Sequence, residues 1–275
     1  MTRTLTRLTN SRIAEPLSWE HSVNPMITKT KTQLQCLLSL MLISPPAVSF
    51  AASPPNTLTD AERQAGWKLL FDGKTTTGWR AYKMDKMPPG WTVIDGVLVR
   101  VKGGAGGKGA GGGDDIVTTE EFENFDLQLE WKTVPNGNSG VLYHVSEEPV
   151  TAWHYAPEVQ ILDNTAHLTR DKRQVAAACY DLYAPSKDMA KPLGQWNHMR
   201  VLVDGAHVEH WLNGEKVVEY ELWSDDWKQR VAKSKHKDRA KFGTFKKGPI
   251  ALQDHTDRLE FRNIKIRVLP AKEQK

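Results

Sequence analysis

Residues 198–220 read His198-Met-Arg-Val-Leu-Val-Asp-Gly-Ala-His-Val-Glu-His-Trp-Leu-Asn-Gly-Glu-Lys-Val-Val-Glu-Tyr220. Three β-rich runs are divided by Asp204-Gly205 and by Asn213-Gly214, dipeptides that tolerate the positive φ of a tight hairpin turn. The stretch is therefore expected to be a three-stranded antiparallel meander. Asp126-Leu-Gln-Leu-Glu-Trp-Lys132 alternates strictly and puts Leu127, Leu129 and Trp131 on one face, the period of a half-buried strand. Leu259-Glu-Phe-Arg-Asn-Ile-Lys-Ile-Arg-Val268 alternates on both sides of Arg262-Asn263 but slips there, which predicts a β-bulge. Helical period is confined to residues 59–65 and 222–232. Together these patterns predict one all-β domain from about Asp60 to Val268, a β-sandwich with Greek-key or jelly-roll connections.

The composition agrees with a globular domain of this kind. Apolar residues make up 39% and charged residues 25% of 275, enough to bury a core without a disulfide framework. The formal net charge is +4, of which residues 1–51 carry five Lys or Arg against two Asp or Glu. The remainder is close to neutral, so no electrostatic footprint for nucleic acid is expected. Nine of the ten Trp lie after residue 60. About two-thirds of them are expected in the core, since a large ring is most often simply buried.

Residues 1–51 read as an N-terminal extension with a signal peptide. Residues 34–50 form a short apolar run after Lys29 and Lys31, and Ser49-Phe50-Ala51 supplies small residues at a cleavage site, so an exported, periplasmic or secreted protein starting near Ala52 is expected. Pro45-Pro46 and the shortness of the run argue against a membrane span. Met26 is a second candidate start. Cys36 sits near the beginning of the apolar run, the wrong place for a lipid anchor, and Cys179 is expected to be a buried apolar filler. The Gly-rich segment 103–113 has Lys108 followed by Gly109, where a phosphate loop needs Ser or Thr, and reads as a surface loop.

Chemistry-bearing residues gather in three strand-like segments: Ser139-Gly-Val-Leu-Tyr-His144, Glu158-Val-Gln-Ile-Leu-Asp-Asn164 and Ile250-Ala-Leu-Gln-Asp-His255. Period two places Glu158 with Gln160 on one face, and Gln253 with His255 on one face. Such a face is either a solvated sheet surface or the floor of a sugar site.

The order of these segments resembles the 3-keto-disaccharide hydrolase family. The resemblance runs from about Trp67 to Val268 on Gly66-Trp67-Lys-Leu-Leu-Phe-Asp-Gly73, Gly78-Trp79, Trp91-Thr-Val-Ile-Asp-Gly-Val-Leu98, Asn138-Ser-Gly-Val141, Glu158-Val-Gln-Ile-Leu-Asp-Asn164, Trp211-Leu-Asn-Gly214, Leu252-Gln-Asp-His255 and Phe261-Arg-Asn-Ile264. It implies a concanavalin A-like jelly roll and an enzyme cleaving the glycosidic bond of an oxidised, 3-keto glycoside or disaccharide. Retaining glucanases of that fold carry Glu-x-Asp-x-x-Glu on one strand. Here Gln160 and Asp163 replace the second and third carboxylates, which puts an ordinary two-carboxylate mechanism in doubt. A keto group at C3 acidifies the C2 hydrogen, so a base can eliminate the aglycone and water can then add. The resemblance makes Glu158 the base. His255 or His144 is then the acid, or a ligand of a divalent metal that polarises the ketone. Gln160, Asp163, Asn164, His167, Trp211, Gln253 and Tyr143 are the expected sugar contacts. A conventional glycoside hydrolase and a non-catalytic lectin-like module are the competing readings, because a fold alone does not decide function.

Overall fold

In a computed structural model the protein is described over residues 54–101 and 114–270. The expectations for the signal peptide, Cys36 and the Gly-rich segment lie outside the described residues.

Among the described residues thirteen strands and two α-helices follow in chain order. Helix α1 (Asp60–Gln64) precedes β1 (Trp67–Leu69), β2 (Trp79–Ala81), β3 (Trp91–Ile94), β4 (Val97–Arg100) and β5 (Ile116–Thr118). Then come β6 (Phe125–Thr133), β7 (Asn138–Leu142), β8 (Glu158–Leu162), β9 (Asn197–Asp204), β10 (His207–Leu212) and β11 (Glu215–Glu221). Helix α2 (Asp225–Lys233), β12 (Ala251–Leu252) and β13 (Leu259–Val268) complete the series. The larger sheet runs β11-β10-β9-β6-β13-β4-β3, with β1 also paired to β13; the smaller runs β2-β5-β12-β7-β8. Every pairing is antiparallel, and the two sheets make a jelly-roll sandwich.

The meander forms as its turns dictate. Asp204 pairs with His207 and Leu212 with Glu215, leaving two-residue loops at Gly205-Ala206 and Asn213-Gly214. Asn213 and Gly214 both have positive φ, 52° and 88°, as a type I′ turn requires. The slip in the last strand is a bulge between Arg262 and Lys265, with Asn263 at φ 54°. Asn56 closes on that bulge. Its backbone N–H donates to Asn263 Oδ1 (2.6 Å), its Oδ1 accepts from Asn263 N–H (2.8 Å), and its Nδ2 donates to the Gly96 carbonyl (2.8 Å).

The core lies between the sheets. Leu127, Leu129 and Trp131 of β6 meet Val159 and Ile161 of β8, and all five are at most 1% exposed. Of the nine Trp after residue 60, Trp79, Trp91, Trp131 and Trp227 are buried, fewer than the expected two-thirds. The other five are half-buried, and each lies under a cation: Trp67 under Lys265, Trp153 under Arg239, Trp196 under Arg262, Trp211 under Arg200 and Trp223 under Lys246. Their rings pack on the surface beneath long basic stems instead of filling the interior.

The outer face of the smaller sheet is also covered. Val117, Leu142, Val145, Ala152, Ala156 and Ala251 form a second apolar cluster under Tyr82 and Trp153. The free edge of β8 is closed by residues 177–180, through Gln160 N–H to the Ala178 carbonyl (3.0 Å) and Tyr180 N–H to the Glu158 carbonyl (3.0 Å). An edge strand is thereby shielded from strand addition. Helix α2 starts at a Ser224 cap, whose hydroxyl accepts from Trp227 N–H (3.1 Å), with Asp225 and Asp226 in the first turn and Arg230 and Lys233 in the last. Both charge placements suit the helix dipole. Among the described residues no helix is long and apolar enough to cross a membrane.

Candidate active site

Strand β8 alternates as its sequence requires. Val159 and Ile161 enter the core, and Glu158 and Gln160 project from the other face. Pairing of Leu142 with Glu158 and of Gly140 with Gln160 places β7 beneath them. Gln253 N–H donates to the Gly140 carbonyl (2.9 Å), and Ser139 Oγ donates to the Gln253 carbonyl (2.7 Å), so the chain beyond β12 lies alongside β7. The result is a cavity of about 280 Å³ lined by Glu158, Gln160, Gln253 and His255 together with Asn138, Trp153, Tyr180 and Lys235.

Glu158 is the one carboxylate in that lining. Its carboxyl lies against Gly140: a Cβ at position 140 would stand 2.5 Å from Glu158 Oε1 and 2.7 Å from Cγ. The Gln160 amide reaches Glu158 Oε1 (2.9 Å) and the Ser139 carbonyl (3.0 Å); both are acceptors, so its nitrogen faces them and donates. Burial pushes the Glu158 pKa up to about 7; Lys235 pulls it back and Asp115 adds to the rise. The ammonium of Lys235 lies 3.7 Å from the centre of the Tyr180 ring. Burial lowers its pKa and Glu158 opposes that.

A buried ionic cluster anchors the segment after β12 that carries His255. Arg100 is 1% exposed and grips Asp254 with two hydrogen bonds, Nε to Oδ1 (2.6 Å) and Nη2 to Oδ2 (3.0 Å). Asp254 N–H donates to Asp115 Oδ1 (2.7 Å), and burial raises the Asp115 pKa to about 7. The residues on both sides of Asp254 are Gln253 and His255, so this cluster sets the position of both.

Several expected site residues stand elsewhere. The strand ends at Leu142 and the backbone turns to φ 52° at His144. Its ring therefore leaves the Gly140 face, is buried, and lies with Nε2 2.8 Å from the Glu123 carbonyl. Tyr143 follows Val141 into the core, where its hydroxyl meets Tyr220 (2.5 Å). Asp163 and Asn164 line a second cavity, of about 200 Å³. Asp163 Oδ1 accepts from Thr165 N–H (3.0 Å) and Thr165 Oγ1 (2.6 Å), and its Oδ2 from Asn136 N–H (2.9 Å). Burial raises its pKa, but these bonds outweigh burial and leave it below the usual carboxylate value. Asn164 joins Asp188 and the Ala176 N–H. His167 lies in the loop beyond and is absent from both cavity linings. Trp211 is on the solvent face of the larger sheet, where its indole donates to Glu209 (2.7 Å). His210 faces the core, with Nδ1 donating to the Ala177 carbonyl (2.9 Å) and Nε2 accepting from the Tyr220 hydroxyl (3.2 Å); burial lowers its pKa to about 4. Cys179 is buried and free, its thiol pushed up to about 12 by burial.

Trp153, Tyr180 and Lys235 are the lining residues that strand periodicity does not find; Asn138, the first residue of β7, shares the Gly140 face. As for a metal, three ligand-type side chains converge among the described residues only at His207, Glu209 and Glu219. These lie on the larger sheet, where Lys216 already pairs with both carboxylates. The cavity lining offers two such side chains, Glu158 and His255.

Residues 66–267 match the family model described as the 3-keto-alpha-glucoside-1,2-lyase-like domain. The chain belongs to this family. A curated 3-keto-disaccharide hydrolase from Bacteroides thetaiotaomicron is 36% identical over 231 residues, 74% of this chain and 79% of that protein. Two crystal structures from Parabacteroides distasonis, each a candidate glycosyl hydrolase, share the family's sandwich. One has TM-score 0.72 and 35% identity, covering 79% of this chain and 100% of that one; the other has TM-score 0.58 and 31% identity, covering 74% and 99%. Within this family of carbohydrate-active enzymes, the Glu158 cavity is the candidate active site.

Proposed function

We propose that the protein cleaves the glycosidic bond of 3-keto glycosides by elimination followed by hydration. The observation that carries this reading is Glu158, a lone carboxyl at the floor of the cavity with its pKa raised to about 7. A general base works best when its pKa lies near the operating pH. In the first step the Glu158 carboxylate takes the C2 proton, made acidic by the C3 ketone. The electron pair forms the C1=C2 bond and the glycosidic C1–O bond breaks. His255 and Tyr180 line the same cavity and are the groups able to protonate the departing oxygen, while the Lys235 ammonium is the cation available to the C3 oxyanion. Water then adds at C1 and a proton returns to C2, so the sum is hydrolysis.

A conventional two-carboxylate mechanism is disfavoured by the single carboxylate in the lining and by the full engagement of both Asp163 oxygens. A lectin-like site can use a carboxylate as a hydrogen-bond acceptor for sugar hydroxyls, but it has no need of a carboxyl whose pKa is raised toward neutrality.

The test offers the purified protein a 3-keto disaccharide and its unoxidised parent in buffered D2O. Turnover of the keto sugar alone, with solvent deuterium at C2 of the released 3-keto hexose, is expected. Equal turnover of the unoxidised parent, or cleavage without label at C2, overturns the reading.

A further inference from the structure

Lys235 follows helix α2, two residues beyond its end, and lines the Glu158 cavity. Its neighbours Ser234 and His236 are buried, while Lys235 itself opens to the cavity. Its backbone N–H donates to Asp181 Oδ2 (2.8 Å), which fixes the point from which the side chain leaves. The Nζ lies 3.7 Å from the centre of the Tyr180 ring and 5.7 Å from that of Trp153. These contacts hold the side chain in place. Other lysines of this region are paired, Lys228 with Asp225 and Lys241 with Glu148. Among the described residues the Lys235 side chain makes no hydrogen bond and no ion pair.

Its surroundings also favour the uncharged amine. Partial loss of water lowers its pKa; Glu158 and Asp181 oppose that, Arg239 and Arg170 add to it, and the sum lies below the ordinary lysine value. Arg239 stands 4.4 Å from the centre of the same Trp153 ring. A lysine short of water and beside other cations keeps a larger neutral fraction, and a neutral amine is a nucleophile toward ketones. Placement matters as much. Glu158 and Lys235 line one cavity of about 280 Å³ and feel each other's charge without forming an ion pair. A base for C2 and an amine for C3 must reach adjacent carbons of one ring, which two groups lining one small cavity can do.

We infer that Lys235 is a nucleophile that condenses with the C3 ketone of the bound sugar to form an iminium. The inference rests on the 3-keto reading above and turns the charge contact at C3 into a covalent bond. The neutral Nζ adds to C3; one proton is taken up, water leaves, and C3=N⁺ remains. Glu158 takes the C2 proton, and the electron pair forms the enamine C2=C3–N. Those electrons then form C1=C2, the C1–O bond breaks, and C3=N⁺ is restored, while the departing oxygen is protonated. Water adds at C1 and a proton returns to C2. Hydrolysis of the iminium releases the 3-keto hexose, the free amine and the proton taken up at the start, so one water is consumed overall. A cationic C3=N⁺ draws electrons more strongly than a ketone, and the covalent route divides one hard step into easier ones.

Wild type is incubated with a 3-keto disaccharide, and separately with dihydroxyacetone, each with cyanoborohydride, and the modified lysines are located by peptide mass spectrometry. Dihydroxyacetone offers a ketone flanked by hydroxyl-bearing carbons and has no glycosidic bond. Both should leave a secondary amine on Lys235 well before Lys246, which lies over Trp223 outside the cavity. Lys235→Arg keeps a cation that cannot form the iminium, so its kcat should be as low as that of Lys235→Met. If charge alone acted at C3, Arg would exceed Met by on the order of 10² in kcat. That result, or turnover of the keto disaccharide with no adduct on Lys235, overturns the inference and leaves the 3-keto reading standing. Selective trapping of dihydroxyacetone on Lys235 in a protein inert to keto disaccharides defeats the 3-keto reading and keeps the nucleophilic amine. Neither turnover nor trapping defeats both. The trap is read on wild type, so a variant that misfolds does not remove the test.

Discussion

Gly140 makes the room that Glu158 occupies: any side chain at 140 would begin 2.5 Å from the carboxylate oxygen. The position has no positive φ to explain its glycine. Its role is spatial. Gly140→Ala should leave a folded protein in which the Glu158 carboxyl is displaced. A misplacement of about 1 Å typically costs on the order of 10² in rate, so kcat should fall by about that factor, alongside a loss of about 1–3 kcal/mol in stability from the crowding. Unchanged kcat would show that the Glu158 geometry does not matter.

Glu158→Gln keeps shape and removes the basic oxygen. Turnover of a 3-keto disaccharide should drop by about 10²–10⁴, with binding retained. In wild type kcat/KM should rise with pH and reach half its plateau near pH 7, since the base must be ionised and its pKa is about 7. Activity within about twofold of wild type in the variant would remove Glu158 from the chemistry.

The same substitution should have a second, opposite effect. The Glu158 pKa is about 7 folded against an ordinary 4.5. A carboxyl raised on folding holds its proton more tightly in the native state. Its stabilising contribution is complete below pH 4.5 and is lost as pH rises through 7. At pH 8 wild type bears the full cost of a buried charge, and Glu158→Gln should be more stable by about 3 kcal/mol. At pH 4 the two proteins should melt alike. Equal stability at pH 8 would mean that the carboxyl is well solvated.

Asp254→Ala should be severe for a different reason. It leaves the Arg100 guanidinium buried without its bidentate partner, a loss of about 3–5 kcal/mol. Asp254→Asn, a milder change, should still lower kcat, because Gln253 and His255 flank the anchored residue. Denaturant unfolding and turnover of the same samples separate the two effects.

His210→Ala should leave kcat near wild type but cost about 2–4 kcal/mol. The imidazole links the Tyr220 hydroxyl to the Ala177 carbonyl within the core, so its removal leaves the buried Ala177 carbonyl without that donor and opens a void, while the Tyr220 hydroxyl keeps Tyr143. A melting temperature equal to that of wild type would contradict the network.

What could be read ahead of the structure was whatever local geometry dictates. Asn213-Gly214 demands positive φ wherever it stands, and the slip at Arg262-Asn263 is a break in period two. Both therefore announce a hairpin and a bulge. Period two also brought Glu158 with Gln160, and Gln253 with His255, to the face that proves to line one cavity. It misled at His144, because the strand stops two residues earlier and the backbone turns left-handed. It was silent on Trp153, Tyr180 and Lys235. These stand on loops without periodicity and reach the cavity only through tertiary contacts such as Lys235 N–H to Asp181. Trp211 was misassigned because an alternating strand says which residues share a face, not which sheet that face belongs to.

The last strand sits near the middle of the larger sheet: β13 pairs with β6 along one side and with β4 and β1 along the other. A chain still emerging from the ribosome therefore has nothing to join its early strands to its late ones. The sheet cannot close until residue 268 is free, and until then β6 on one side and β4 and β1 on the other wait with open edges. Such long-range closure is slow. Any truncation ahead of Leu259 removes the piece that joins the two halves of the sheet and should yield a chain for proteolysis, however intact its Glu158 segment.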